Sequence, residues 1–255
     1  MAWEQAVPLI ERLKVTTDGG NELVRVASVP EELSCVGRGT DAAVFVHANH
    51  PRYAFKVYAV GREEKLKDEE RAYRMLGENP YFPHFYGKGQ NFIVLSYEQG
   101  MNLYDCLISG TYIPRSVVKQ VDEAIDYARE RGLNPRDIHL KNIILQDGEI
   151  KLIDVSEYVR EGNDRRWEHL KEGYRLFYRF ISHKKIPRPV IEFVKKRYEK
   201  QKGAGFTVKS FGFSLLQTGG RYLISEREVG KCCAGFRMGK RLQSRFGSRT
   251  CRKQV

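Results

Sequence analysis

The chain has 255 residues, 41% hydrophobic and 30% charged, with a formal net charge of +12. This length suits one two-lobed domain of about 200 residues with additions, and the composition excludes collagenous, low-complexity and disulfide-scaffold classes. No apolar run reaches the roughly 18 residues of a membrane helix, and MAWEQAVPLIERLKV lacks the charged start, apolar core and cleavage site of a secretory leader, so a cytoplasmic protein with no membrane partner is expected.

Residues 3–13 predict a short amphipathic helix with Trp3, Val7, Leu9 and Ile10 on its apolar side. Four strand-like runs follow between 22 and 59: NELVRVAS, LSCVGRG, AAVFVH and YAFKVYAV. Residues 62–76 are charged and helical, with Ala72, Tyr73 and Leu76 as the apolar face. FPHFYGKG and NFIVLSYE read as two more strands and complete a β-rich lobe with one helix. After Gly100 the pattern turns helical. Val117, Val118, Val121, Ile125 and Ala128 repeat at helical spacing over 113–131, and Gly132 ends the run. NIIL and IKLIDV form a small hairpin around QDGE. Then come a helix carrying Trp167, Leu170, Tyr174, Phe177 and Ile181, and a last helix opened by Pro187 and Pro189 with Val190, Ile191, Val194 and Tyr198 on one face.

Four motifs lie along this frame. Gly37-Arg-Gly39-Thr-Asp-Ala42-Ala-Val44 sits between strands. Glycines there allow either a plain hairpin turn or a backbone that closely approaches phosphates. Lys56 stands in the apolar strand Ala54-Phe55-Lys56-Val57, 17 residues after Gly39. By itself it is a solvent-facing lysine as readily as a phosphate ligand, and Glu69 and Glu70 on the next helix are candidate partners. Pro135-Arg136-Asp137 leads to His139, Lys141 and Asn142, with five residues from Asp to Asn. A carboxylate to receive a hydroxyl proton and an amide oxygen to bind Mg²⁺ need that proximity, although an Asp–Asn turn has the same spelling. Asp154 closes the apolar run Ile150-Lys-Leu-Ile153, 12 residues after Asn142, where it either binds a metal or caps a turn.

In order and at these separations the four motifs resemble the protein-kinase-like superfamily over about 160 residues. The resemblance implies an α+β bilobal fold: residues 1–97 as a β-rich N-lobe with a Gly-rich loop, and 98–200 as a helical C-lobe with the catalytic and metal-binding loops. It implies ATP and Mg²⁺ as ligands. ATP would meet Gly37, Gly39, Ala42, Val44, Ala54, Lys56, the gatekeeper Leu95 and the hinge at Tyr97. Lys56 would hold the α/β-phosphates, Glu69 would pair with it, Asp137 would be the base, and Asn142 and Asp154 would bind the metal. The implied activity is phosphoryl transfer to a serine or threonine hydroxyl of a protein. A small-molecule acceptor and a non-catalytic scaffold are the alternatives.

The chain departs from the family pattern in several places. Pro135 replaces the histidine of H-R-D, and His139 gives D-x-H-x-x-N, similar to aminoglycoside and choline kinases. Asp-Val-Ser replaces D-F-G, a RIO/Bud32-like feature. About ten residues separate Asp154 from Asp164, too few for a long phosphorylatable activation loop.

Residues 201–255 match none of this. They hold 12 of the 44 Lys+Arg but 2 of the 32 Asp+Glu, so the net charge is +10 there and +2 on the first 200 residues. They also hold nine glycines and three of the five cysteines (Cys35, Cys106, Cys232, Cys233, Cys251), which lack the spacing of a zinc site. The six histidines read as surface or packed residues. The segment is expected to be disordered and dispensable for melting. Its readings are a basic arm contacting nucleic acid or ribosomes, a hairpin at SLLQTGGRYLI, and a stretch without selected function.

Overall fold

The computed structural model describes residues 2–20, 22–203 and 205–219. The chain divides into two compact units, Met1–Lys171 and Glu172–Val255.

The first unit opens with a 3-10 helix, Ala2–Ala6, running into α1, Val7–Ile10, which together take the place of the expected longer helix. β1 (Val15–Thr16) pairs with β2 (Arg25–Val26). A five-stranded antiparallel sheet follows, built from β3 (Leu33–Arg38), β4 (Ala42–His47), β5 (His50–Tyr58), β6 (Phe85–Lys88) and β7 (Phe92–Ser96) in the order β3-β4-β5-β7-β6. Helix α2, Glu63–Leu76, lies between β5 and β6 in the chain.

Strand periodicity gives this sheet two distinct faces. Ala43, Phe45, Phe55, Val57, Phe92 and Val94 are opposed in register and fully buried, and they pack with Trp3, Ala6 and Ile10 into one apolar cluster. Burial of each valine, isoleucine and phenylalanine among them contributes about 1.5–3 kcal/mol, and of each alanine less. Val44, Ala54, Lys56, Tyr58, Ile93 and Leu95 occupy the opposite face.

Beyond β7, β8 (Met101–Asn102) leads into α3, Leu103–Ser109, which is capped by Asn102 accepting from the Asp105 N–H at 2.9 Å. Helix α4, Arg115–Glu130, buries Val117, Val121, Ala124, Ile125 and Ala128. A 3-10 turn, Leu140–Asn142, then precedes β9 (Ile143–Gln146) and β10 (Glu149–Leu152). Asp147 and Gly148, both at positive φ, make the tight turn between these strands. Gln120 of α4 fixes the hairpin, donating to Gly148 O at 2.8 Å and accepting from Ile150 N–H at 3.0 Å. A Cβ at Gly100 would stand 2.6 Å from Ile144 Cγ2 and Leu145 O, so only glycine lets the chain cross there.

Helix α5, Arg166–Ile181, contains the boundary between the units. The division therefore coincides with neither 97/98 nor 200/201. Both the sheet and the β9–β10 hairpin lie in the first unit, where Leu152 of β10 donates its N–H to Tyr81 O in the loop before β6 at 2.8 Å and Tyr127 of α4 donates its hydroxyl to Leu76 O at the end of α2 at 2.8 Å.

The second unit holds α6, Arg188–Gln201, and α7, Val208–Gly219. Helix α7 corrects the expectation of disorder from residue 201 and replaces the first arm of the SLLQTGGRYLI hairpin. Its second arm, with residues 220–255, lies outside the described residues. Tertiary contact explains the helix. Val208 and Phe211 are buried, Phe211 and Phe206 pack edgewise on Tyr198, and a Cβ at Gly212 would stand 2.3 Å from the Phe177 ring. Ending the chain at Lys200 is accordingly expected to lower the melting temperature. Phe211→Ala should destabilise by about 3 kcal/mol. Unchanged denaturation curves for both would show that α7 adds nothing to stability. Among the described residues no helix is long and apolar enough to cross a membrane.

Candidate active site

The sheet face opposite the apolar cluster collects most of the residues singled out in the N-terminal half. Register places Gly37 beside Val44, Val44 beside Lys56, and Ala54 beside Leu95, with Ala42 across from Tyr58. Gly39 N–H donates to Ala42 O at 2.8 Å and closes the β3–β4 turn. Tyr97 follows β7 and donates its N–H to Arg52 O at 2.9 Å. Neither Gly37 nor Gly39 is at positive φ, and a Cβ at either would meet only ordinary contacts of 3.5–3.9 Å. The turn itself does not demand these glycines. What their small size provides is room above the sheet face.

Lys56 projects from this face into a charged triad. Its ammonium lies 2.5 Å from Glu69 Oε2 and 3.0 Å from Asp154 Oδ1. Glu69 is fully buried on α2 and also accepts from the Tyr58 hydroxyl. Burial opposes the Lys56 charge, but Asp154 and Glu69 outweigh it and raise its pKa. Burial pushes the Glu69 carboxyl up against the pull of Lys56. Desolvation by its surroundings opposes the Asp154 charge, but Lys56 and the Ser156 hydroxyl, donating at 3.2 Å, outweigh it and hold the carboxyl below the usual carboxylate range. Glu70, one residue on, turns to the surface and pairs with Lys88 at 2.6 Å and Arg74 at 2.9 Å.

Asp137 occupies the loop between α4 and β9 with left-handed backbone, φ 57°. Non-glycine residues seldom adopt this conformation without support. Here the support comes from two sides: Asp137 N–H donates to Asp164 Oδ2 at 2.9 Å, and Asn142 Nδ2 donates to Asp137 O at 3.3 Å. Arg166 Nη1 contacts the Asp137 carboxylate. Burial raises the Asp137 pKa, Arg166 and His139 oppose it, and Asp154 and Asp164 reinforce it. Asn142 O accepts from Ile153 N–H at 2.9 Å, which ties the loop to the strand end carrying Asp154.

The segment after Asp154 is pinned at both ends. Asn134 Nδ2 donates to Arg160 O and Gly162 O, each at 2.6 Å, and Arg136 contacts Glu161 O. These bonds brace the loop where Pro135 removes the histidine. Towards α2, Lys65 pairs with Glu157, and Arg160 pairs with Asp68 at 3.0 Å. Tyr158 is buried edge-on against Phe82.

Comparison with known proteins bears on this constellation. Over 179 residues the chain is 35% identical to YrzF of Bacillus subtilis (strain 168), a protein provisionally named a serine/threonine-protein kinase, with 69% of this chain and 83% of that one covered. The chain belongs to the protein-kinase-like superfamily. A shorter match, 33% over 70 residues and 26% of each chain, is to testis-specific serine/threonine-protein kinase 3 of Mus musculus. Among solved structures, a point mutant of the PknI kinase domain of Mycobacterium tuberculosis is 20% identical, covering 52% of this chain and 62% of that one at a TM-score of 0.39. No family model matches the chain.

Four residues of this kinase-like site escaped the sequence reading. Tyr58 had a usable signal, since it lies two residues after Lys56 and so shares its strand face. Asp164 and Arg166 carried none, because their contacts to Asp137 span 27 and 29 residues. Asn134 lies one residue before the Pro135-Arg136-Asp137 motif and so outside its pattern, and its contacts to Arg160 and Gly162 span 26 and 28 residues.

Proposed function

We propose that the chain transfers the γ-phosphoryl group of ATP to a serine or threonine hydroxyl of a protein, with Mg²⁺ bound by Asn142 and Asp154. The placement of Lys56 between Glu69 and Asp154 carries this reading. It joins, across 98 residues of sequence, a phosphate-binding lysine, the helix that orients it and a metal-binding carboxylate. ATP would lie on the sheet face between Val44, Ala54 and Leu95, with Gly37 and Gly39 admitting its phosphates. The acceptor hydroxyl would give its proton to Asp137 as its oxygen bonds to the γ-phosphorus and the bond to the β–γ bridging oxygen breaks, releasing ADP. Asp137 contributes mainly by orienting that hydroxyl.

The donor set suits magnesium. The Asp154 side chain is 45% exposed, and Asn142 uses its amide N–H₂ on Asp137 O, which leaves the oxygen as the metal-binding atom. Among the described residues no group of three or more His, Cys, Asp or Glu could hold a metal. An ion shared by one carboxylate, one amide and phosphate oxygens needs no such group. Bound there, Mg²⁺ would neutralise phosphate charge. Asp154→Ala is expected to weaken ATP binding in Mg²⁺ to the level seen in EDTA, read by isothermal titration calorimetry. Equal wild-type affinity in Mg²⁺ and EDTA would sink the metal assignment.

Regulation by phosphorylation of the short segment is not expected. Tyr158 is buried, and Ser156 bonds to Asp154. Ser156→Ala should retain activity within about threefold, and a dead Ser156→Ala protein rescued by Ser156→Asp would contradict this.

A second reading, a small-molecule acceptor, is favoured by His139 in the Asp137-x-His139-x-x-Asn142 spelling, similar to that of aminoglycoside and choline kinases, and by the short segment after Asp154. The deciding experiment presents γ-labelled ATP and Mg²⁺ with the protein alone, with serine/threonine peptides and with small hydroxylated metabolites. Label on peptides supports the first reading and label on metabolites the second.

A further inference from the structure

The charge of the chain follows its structural division. Residues 1–171 carry 23 Lys+Arg and 27 Asp+Glu, a net −4, while residues 172–255 carry 21 and 5, a net +16. The boundary set by the structure therefore moves the basicity well upstream of residue 201. In and before α6, residues 184–202 hold eight Lys+Arg and two Asp+Glu.

Helix α6 is unusual in burying none of its residues fully. One side is nonetheless engaged: Tyr198 packs on Phe206 and Phe211 at 5.4 and 6.2 Å, and Val190, Ile191 and Val194 lie half-buried on the same side. Phe193 is not on that side. It is 51% exposed, and Lys196 and Lys200, three and seven residues on, share its face and are exposed. Lys185, Arg188 and Lys195 are exposed nearby in the chain. Among the described residues no carboxylate pairs with Lys195, Lys196 or Lys200.

We infer that this face of α6, centred on Phe193, Lys196 and Lys200, binds single-stranded nucleic acid, a function separate from phosphoryl transfer. The charge is complementary to a phosphate backbone, whose binding releases counterions. An exposed ring among lysines offers a base a stacking surface without reading sequence. Three features set this partner above others. Besides Phe193 the outward strip carries Pro189 as its one other exposed apolar residue, too little apolar surface to seat a helix in a lipid headgroup layer. Its exposed polar side chains are lysines, and Arg197 beside them is part-buried, so it shows no exposed Asn or Arg fork of the kind duplex readers use. A uniform excess of charge spread over many residues fits a long polyanion better than a small anion.

The experiment is fluorescence anisotropy of the full chain with a labelled oligouridine of about 20 nucleotides, longer than typical site sizes, over a range of salt. Wild type is expected to bind with affinity that falls steeply with salt. Phe193→Ala should lower affinity roughly tenfold at fixed salt and leave the salt dependence unchanged, because it removes stacking and no charge. Lys196→Ala with Lys200→Ala should reduce the slope of log affinity against log salt by roughly 1.4, the loss of two phosphate contacts to a single strand. These three positions are surface residues, and unchanged melting and ATP affinity would show that the variants fold. Binding of wild type with neither variant altered would place the contact elsewhere in the basic chain and overturn the inference, as would no binding. Equal affinity for duplex DNA, or a Phe193→Ala loss seen on phosphatidylserine vesicles and not on oligouridine, would overturn it as well.

Discussion

Asp137→Asn is expected to lower the rate of phosphoryl transfer by about 10²–10⁴-fold while ATP affinity changes little. The substitution keeps the volume of the side chain and an oxygen for Arg166, and the clamps on the backbone, Asp164 on the N–H and Asn142 on the carbonyl, do not involve the carboxylate. The strained loop geometry should therefore survive. What is lost is the group proposed to receive the acceptor proton and to fix the hydroxyl in line with the γ-phosphorus. The residues proposed to hold the phosphates and the metal lie on the sheet face and at Asn142 and Asp154, not at Asp137, so nucleotide binding is the internal control. Transfer by the variant at the wild-type rate would remove Asp137 from the chemistry. Loss of ATP binding together with transfer would mean that the substitution had disturbed the fold.

Lys56→Met should damage both catalysis and stability, and the two can be separated. The lysine side chain is 14% exposed and that of Glu69 is completely buried, so removing the cation leaves a buried carboxylate with the Tyr58 hydroxyl as its remaining partner. Breaking such a pair costs about 3–5 kcal/mol, reduced to the extent that Glu69 takes up a proton. Adding Glu69→Gln to Lys56→Met should recover much of the stability, since the orphaned charge is gone, and none of the activity. A double variant no more stable than Lys56→Met would mean that packing, not charge, is what Lys56 supplies. The sign with pH follows from the upward shift of Lys56. Its stabilisation is complete below the ordinary lysine range and is lost only as pH rises through the raised folded value, so unfolding by urea at neutral pH measures it in full.

Much of the β-rich half was legible because strand alternation and helical spacing are properties of adjacent residues. The bounds of β4 match the AAVFVH run, and α2 begins within one residue of its expected start. Glu69 could be preferred over Glu70 because it falls on the stripe of Leu66, Ala72, Tyr73 and Leu76, the residues α2 buries. Other errors are also local in origin. NELVRVAS has strand composition, but among its described residues the paired strand is Arg25–Val26, while Val24 and Ala27 make single backbone bonds to Gly39 O and Lys14 O. Helix α3 was overlooked although Asn102 and Asp105 spell its cap, because seven residues give too few apolar repeats to count. Helix α7 could not be read at all: its glycines and weak periodicity argue against a helix, and the contacts that hold it, such as Gly212 against Phe177, are between distant parts of the chain. The same limit hid Arg166 from any account of Asp137.

The two ion pairs between α2 and the segment after Asp154 run in opposite senses: the helix supplies the cation in Lys65–Glu157 and the anion in Asp68–Arg160. Each pair, partly exposed, is worth about 0.2–1 kcal/mol. Because the senses are opposite, swapping the signs of one pair alone would set like charges side by side along this seam. Both pairs are screened by salt, so raised ionic strength is expected to weaken this link between α2 and the segment while the buried Lys56–Glu69 pair, screened much less, keeps the helix in place.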